Sequence, residues 1–441
     1  ARIQSPEFIA KVKAAKKDMP MSEREHLSET IQFFFKKRQD FVFYTEIGLK
    51  HTCLTQTYGY VPNLNNICQK ATFPIMLKDY DEQYTDRREC FNGEELFPKT
   101  FVLNNYGDCK DFFKHIKSKK YLKEKENQPF QFLFKKGIGL HKGLGVSLLT
   151  DELEAKIVKD YSDGKLCGTI KEENVVQKYI PNPHLIKGTN KYDFRVYGLV
   201  ASTNPLIAFF RDGLIRVSLR EYVRESTDIR VHLTNTYLSN DILKNITNAD
   251  EHNEAKQFQI LNFPDFLKIL MDTGAVDDPN WLETYLKPKM KHAITHILRM
   301  GHQGWLKKSG MFRLTGFDFM LDENMKLWFI EVNARPGINE DPTLQAFTAS
   351  KIGDMMDVIL SLLRGRIYRI QKFIKEFTRD NIIKGDSYDK EELRKQFNKI
   401  NKDKFEPEFP IRKGNTWEPI IDQNLPGEKA YFGIISDDCL Q

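Results

Sequence analysis

The sequence predicts a mixed α/β protein, of the α+β kind, with more than one lobe. Helical and strand patterns alternate through the middle of the chain, antiparallel hairpins appear among them, and 441 residues exceed what one simple core holds. Hydrophobic content of 40% and charged content of 29% are ordinary globular values. No apolar run reaches the length of a membrane span. Residues 1–20 lack the apolar stretch of a secretory leader, so no signal peptide is expected, and with no spanning run no membrane partner is expected either.

Residues 1 to about 98 combine a basic helical start with an irregular, aromatic segment. Residues 99–103 open as a strand, and 109–120 read as a helix. Residues 131–134 form a strand that runs into a glycine-rich loop, and an apolar run resumes at 146–149. The strand at 175–180 is stopped by Pro181 and Pro183. Residues 192–202 and 206–219 are strand-rich, with an Arg211-Asp212-Gly213 turn expected inside the second. Residues 280–300 read as an amphipathic helix and 344–377 as mainly helical. The last stretch, with Pro407, Pro410, Pro419 and Pro426, gives no clear reading.

The sharpest chemical signal is the pair of segments Phe317-Asp318-Phe319-Met320-Leu321 and Trp328-Phe329-Ile330-Glu331-Val332-Asn333. Both are apolar strands interrupted by polar residues, with a hairpin turn expected across residues 322–326. Pairing them would gather Asp318, Glu331 and Asn333 into a hard-oxygen site of the kind Mg²⁺ uses beside nucleotide phosphates. An acid inside an apolar strand is costly unless paired or metal-bound. One such acid is commonly structural; three oxygen ligands in this spacing favour a metal.

Other segments are weaker alone. Lys135-Lys136-Gly137-Ile138-Gly139-Leu140-His141-Lys142-Gly143-Leu144-Gly145 follows a strand. Its glycines permit close backbone approach to phosphate, and its lysines supply charge. It matches neither the P-loop nor the Rossmann spacing, and an ordinary loop reads equally well. Lys191, Asp193 and Arg195 alternate with aromatic residues, so they share one strand face, which a solvated edge strand would also explain. Arg216 in the next strand faces the same way, while His232-Leu233-Thr234-Asn235 is a polar loop without a reading of its own. His292 and His296 have zinc-compatible spacing but lack the intervening glutamate, so no metal is expected there. Six cysteines, at 53, 68, 90, 109, 167 and 439, form no C-x-x-C motif and read as free thiols in a reducing compartment.

The formal charge is +6, yet basic residues cluster at 11–17, 36–38, 114–125, 287–292 and 394–404. Solvated helix faces account for most of them. An acidic partner would suit the rest, and no signature of nucleic-acid binding accompanies them.

The order of these parts resembles the ATP-grasp enzymes, and more closely the tubulin–tyrosine-ligase-like family, from about residue 97 to 338. Phe97-Pro98-Lys99-Thr100-Phe101, the Lys135 to Val146 loop, Asn182-Pro183-His184-Leu185-Ile186, Lys191 to Arg195, His232 to Asn235, Gly316-Phe317-Asp318 and Glu331-Val332-Asn333 carry the likeness. Residues 97–113 and 191–216 are most similar to the polyglycylase branch. Two departures are Lys136, where the family usually has proline, and Ala334-Arg335-Pro336-Gly337 after the metal asparagine.

The resemblance implies an ATP-grasp fold with an N-terminal lobe (1–98), a central lobe (99–180), a C-terminal lobe (181–365) and an extension (366–441). It implies ATP and Mg²⁺ as cofactors. Gln177, with Lys178, Tyr179 and Ile180, would meet the adenine. Lys135, Lys142, Gly143 and Lys191 would hold phosphates, with Asp193 and Thr234 beside them. Asp318, Glu331 and Asn333 would hold the metal. Arg195, Arg216 and Asn235 would act in catalysis. The implied reaction joins a free amino acid, glycine or glutamate, to tubulin or another acidic protein tail through an acyl-phosphate. A glutamylase and a non-catalytic microtubule binder are the alternatives. A monomer in the cytoplasm, cytoskeleton or cilium is expected.

Overall fold

The computed structural model describes residues 57–126, 130–137, 145–180, 182–336, 345–377 and 389–440. The basic clusters at 11–17 and 36–38, and Lys142 and Gly143, lie outside the described residues.

A small antiparallel sheet comes first. Strands β1 (Thr100–Val102), β2 (Phe132–Lys136), β3 (Val146–Leu148) and β4 (Asn174–Lys178) lie in the order β1-β4-β2-β3. Alternation along these strands gives each face its character. Phe101, Phe132, Phe134 and Val176 pack with Phe112, Phe113 and Ile116 of helix α1 (Tyr106–Ile116) and with Ile157 of helix α2 (Asp151–Asp160). Asn105 and Thr150 cap these helices, accepting from the backbone N–H of Asp108 and Leu153. The opposite face presents Lys135, Val175 and Gln177.

The large sheet has β5 (Leu185–Ile186), β6 (Asn190–Thr203), β7 (Leu206–Glu221), β8 (Ile260–Leu261), β9 (Arg313–Leu321), β10 (Leu327–Asn333) and β11 (Glu418–Asp422). Its main order is β10-β9-β6-β7-β11, with β5 on β6 and β8 on β7. One face buries Tyr192, Phe194, Val196, Phe317 and Phe319 with Phe266, Met290 and Ile294. The other buries Tyr197, Leu199, Phe209 and Leu314 under Met355, Val358 and Leu362 of the helix Gln345–Phe377. Among the described residues, no helix is long and apolar enough to cross a membrane.

Several expectations are corrected. The Arg211-Asp212-Gly213 turn is absent; β7 runs through it as a bulge, since Arg195 pairs with Leu214 but Tyr197 with Arg211. A Cβ on Gly213 would stand 1.6 Å from the carbonyl oxygen of Arg195, so only glycine lets the strands close there. The long helix expected from residue 280 is divided. A π-helical turn, Leu282–Leu286, precedes the α-helix Lys287–His302, and Pro288 falls in that helix's first turn, where no N–H is needed. His296 is a core residue: it is fully buried, stacks on Phe91 at 4.6 Å, and lies 2.9 Å from the Tyr80 hydroxyl through Nδ1. Burial, aided by His292 and Arg299, pushes its pKa down to about 2.

The cysteine reading is also overturned. Cys90–Cys439 and Cys109–Cys167 are disulfides, with sequence separations of 349 and 58. Sequence spacing carries no sign of such pairs, because folding alone brings their Cα atoms to 5.4 Å and 5.6 Å. Among the described residues Cys68 remains a free thiol, and Cys53 lies outside them. The inference of a reducing compartment from free thiols therefore falls.

The C-terminal stretch is integral to the large sheet. β11 extends that sheet, and Asp403 is buried behind it. One Asp403 oxygen accepts from Arg366 at 2.9 Å; the other accepts from Ser202 Oγ at 2.8 Å and the Gly310 N–H at 2.7 Å. Removing one partner of such a pair strands a buried charge and costs about 3–5 kcal/mol. Asp403→Ala should therefore lower the unfolding free energy by about that amount in a denaturant titration. Arg366→Met combined with Asp403→Leu should cost less than Asp403→Ala alone.

Candidate active site

Strand pairing assembles the polar residues. β6 runs between β7 and β9, so Asp193 pairs with Arg216 and Arg195 pairs with Asp318. β10 then brings Glu331 opposite Asp318 and Asn333 opposite Gly316. A bulge is needed for this. Phe329 pairs with Phe319, but Glu331 pairs with Asp318, so Ile330 is the extra residue. Regular alternation would leave Glu331 on the core face with Phe329; the bulge turns it to the side of Asp318.

Asp318 is buried and doubly held. Arg195 Nε and Nη2 reach its two oxygens, the latter at 2.8 Å, and Arg216 Nη2 donates to Oδ2 at 3.0 Å. Arg216 also grips Asp193 through two bonds of 2.6 and 2.7 Å, and Thr234 Oγ1 donates to Asp193 Oδ2. Burial alone would raise the Asp318 pKa; the guanidiniums of Arg195 and Arg216 overcome it and hold the carboxyl at about 2. Burial likewise opposes the charge of Arg216, and Asp193 with Asp318 more than offsets it, raising its pKa.

The residues fit a hard cation. Asn333 Nδ2 lies 3.2 Å from Asp318 Oδ2 and 3.4 Å from Glu331 Oε1. An amide turned over about its terminal bond would present its oxygen to the same point, beside both carboxylates. Two carboxylates and an amide oxygen suit Mg²⁺. No group of three or more His, Cys, Asp or Glu suited to a metal occurs among the described residues.

Two buried lysines flank this group. Lys135 Nζ lies 2.5 Å from Gln177 Oε1, and Gln177 Nε2 donates to Thr100 Oγ1 at 3.0 Å. Gln177 thus uses both ends of its amide to orient Lys135. Lys135 and Gln177 of the small sheet line one cavity with Glu331 of the large sheet. Lys191 Nζ donates to the His232 carbonyl at 3.0 Å and lies 3.4 Å from the Tyr179 hydroxyl. Burial pushes both ammonium pKa values down to about 8, with Glu331 opposing at Lys135 and Asp193 at Lys191.

The other expected residues are spread more widely. Lys178 is exposed at the end of β4, Tyr179 is buried, and Ile180 is half-buried. Asn235 is half-buried at the start of the helix Thr236–Asn245. Sequence reading missed Thr100 as a partner of Gln177, and it missed Lys351. That buried lysine stands 3.7 Å from the centre of the Tyr197 ring. Burial, with Arg211 and Arg195 adding, pushes its pKa down to about 7. Nothing in the local sequence marks it, since Tyr197, Arg195 and Arg211 lie on strands distant in sequence.

The model of the tubulin-tyrosine ligase family matches residues 50–361. The chain belongs to that family. Its mixed α/β architecture is the family's ATP-grasp-like fold. It is 27% identical to human inactive polyglycylase TTLL10 over 285 residues, 62% of this chain and 39% of that protein. It is 33% identical to human tubulin monoglycylase TTLL3 over 195 residues, 44% of this chain and 24% of that protein. It is 27% identical to human tubulin polyglutamylase TTLL7 over 302 residues, 65% and 30% of the two chains. The matched stretch thus spans well under half the length of these family members.

Asp318 makes a pH prediction for this family member. Its folded pKa, at about 2, lies below the usual 3.8, so its ionised form stabilises the fold fully above about pH 4. That contribution, about 2 kcal/mol, is lost as pH falls toward 2. Asp318→Asn should be less stable at neutral pH and should lack this part of the acid limb in a stability–pH curve.

Proposed function

We propose that the chain is an ATP-dependent carboxylate–amine ligase that adds amino acids to acidic protein tails, with tubulin the favoured acceptor and glycine the favoured donor. One observation carries this reading: a strand bulge sets Glu331 beside Asp318 and Asn333, next to two buried lysines and two arginines. Membership of the tubulin-tyrosine ligase family supports the class of chemistry, and relatives named as glycylases support the donor. The ligase would work as a monomer in a cytoplasmic, cytoskeletal or ciliary setting.

Residues 99–180 and 181–365 would form the two walls of the nucleotide site, with 1–98 as an N-terminal lobe and 366–441 as an extension. ATP would lie with its adenine at Gln177, Lys178, Tyr179 and Ile180. Lys135 and Lys191 would meet its phosphates, joined by Lys142 and Gly143, with Asp193 and Thr234 fixing the neighbouring arginine. Asp318, Glu331 and Asn333 would hold Mg²⁺, which when bound neutralises charge on the transferred phosphoryl group. An acceptor carboxylate oxygen bonds to the γ-phosphorus as the bond to ADP breaks. The donor amine then attacks the acyl carbon, phosphate leaves, and the amine proton passes to solvent. Arg195 and Arg216 would stabilise the planar oxyanions, whose shape suits guanidinium forks, and Asn235 would orient the reacting group.

The lysines are suited to an arriving anion. Buried ammonium groups near pKa 8 are costly in the empty fold, and a triphosphate beside them would stabilise their charged form. ATP affinity should therefore fall as pH rises from 7 to 9.5 in calorimetric titrations. Glu331→Gln and Asn333→Ala should abolish transfer while leaving the melting temperature largely unchanged. Near-normal ligation by Glu331→Gln would remove the metal assignment.

The acceptor surface would lie at the helix Lys119–Lys125. Lys117 is tied to Asp163 at 2.7 Å and Lys125 to Glu154 at 2.9 Å, whereas Lys119 and Lys120 are exposed in the helix's first turn. Cations there face the positive end of the helix dipole, so an acidic partner would relieve them. Charge reversal at Lys119 and Lys120 should weaken acceptor binding about 3- to 10-fold and flatten its salt dependence, with ATP affinity unchanged. In the same assay, mass spectrometry of acceptor incubated with ATP and mixed amino acids should show glycine added. Addition of glutamate but never glycine would favour the glutamylase. Nucleotide binding without any transfer would favour a scaffold, a reading kept open by the relative named as inactive.

A further inference from the structure

His232 ends a short helical turn, Ile229–His232, and is only 2% exposed. Aromatic rings close around it: Phe130 at 5.1 Å, Tyr179 at 5.4 Å and Tyr222 at 5.7 Å between centroids. Its Nε2 lies 2.7 Å from the Ser226 carbonyl and its Nδ1 lies 2.7 Å from the Tyr179 hydroxyl. A carbonyl oxygen only accepts, so the proton sits on Nε2. In the neutral ring Nδ1 then accepts from Tyr179, whose one hydroxyl proton is shared with the Tyr222 oxygen at 3.2 Å. Burial and the nearby Lys191 ammonium both disfavour a second proton, against weaker support from the Ser226 carbonyl and Asp228. The neutral form is the resting one.

The same residue holds a second element with its main chain. The His232 carbonyl accepts from Lys191 Nζ at 3.0 Å, and that ammonium also lies over the Tyr179 ring at 4.9 Å. Tyr179 directly follows β4 of the small sheet; Lys191 belongs to β6 of the large sheet. Two residues after His232, Thr234 reaches Asp193. One side chain and its own carbonyl therefore join both sheets and lead into the Thr234-Asn235 pair.

We propose that His232 is a positioning residue that sets the distance between the residue 178–180 backbone and the Lys191 ammonium, and so between the base end and the phosphate end of bound ATP. This rests on the nucleotide reading given above. His232 touches neither nucleotide nor reacting atoms; it acts through Tyr179 and Lys191. A residue that only filled the core would affect stability and leave ligand preference alone. A residue that sets a spacing must matter most for a ligand that spans both ends.

The test uses the full chain with a non-hydrolysable ATP analogue, Mg²⁺, and inorganic triphosphate as a ligand for the phosphate end alone. Tyr179→Phe keeps the ring and loses only the hydroxyl; His232→Phe keeps a buried ring and loses both side-chain bonds. Each should retain a cooperative melt and bind the analogue about 5- to 10-fold more weakly, the size expected from losing the His232–Tyr179 bond that the two variants share. Triphosphate affinity should change less than twofold. The double variant should be no more than about twofold worse than His232→Phe, because both changes remove the same bond. The proposal is overturned if folded Tyr179→Phe or His232→Phe binds the analogue like the parent, if triphosphate loses as much as the analogue, or if the two losses multiply. A parent chain that binds neither ligand would overturn the nucleotide reading and this proposal together, whereas a parent that binds with unaffected variants overturns this proposal alone.

Discussion

A carboxylate in the middle of a seven-stranded sheet has no water to neutralise it, and Asp318 is in that position. Its partners must come from the sheet itself. Arg195 is its cross-strand neighbour on β6, and Arg216 reaches it from the strand beyond. This requirement accounts for β6 lying between β7 and β9, with its register on β7 unbroken from Tyr192 to Arg195. Two bulges serve the same centre. The one at Gly213 allows β7 to close on β6 near Arg195, and the one at Ile330 turns Glu331 toward Asp318. The charge array and the strand geometry are one solution to one electrostatic problem.

The hairpin across residues 317–333 was legible because apolar strands interrupted by acids are rare without a reason. The strands at 192–202 and 206–219 were legible because period-two patterns survive in a buried sheet. Bulges were not, since one extra residue leaves composition unchanged: Arg211-Asp212-Gly213 has turn chemistry, yet it lies inside a continuous strand, at a bulge. Partners distant in sequence were equally hidden. Thr100 with Gln177, Lys351 with Tyr197, and Cys90 with Cys439 become neighbours only after the sheets form. The proline-rich end gave no pattern because its packing partners, Ser202, Gly310 and Arg366, lie elsewhere in the chain.

The candidate site is also less permissive than its residue list suggests. Gln177 and Asp193 each spend their polar atoms on neighbours, Lys135 and Arg216 respectively. Such residues act by fixing the orientation of others, so their loss would misplace a charge as well as remove a contact. Interlocking of this kind keeps the lysines of two different sheets pointed into one region, and among the described residues no carboxylate is ion-paired with either. A permanent carboxylate partner would have raised their pKa values and reduced what an incoming phosphate could gain.

The Cys90–Cys439 bridge closes a span of 349 residues, so nearly the whole described fold is a covalent ring. A single proteolytic nick anywhere within that ring would open a loop and still leave one molecule of unchanged mass in a non-reducing gel. Two fragments would separate only after reduction. New ends could for the same reason be placed in a surface loop of the ring, as in a circular permutant, while the sulfur bridge went on holding the original C-terminal stretch beside the segment that carries Cys90.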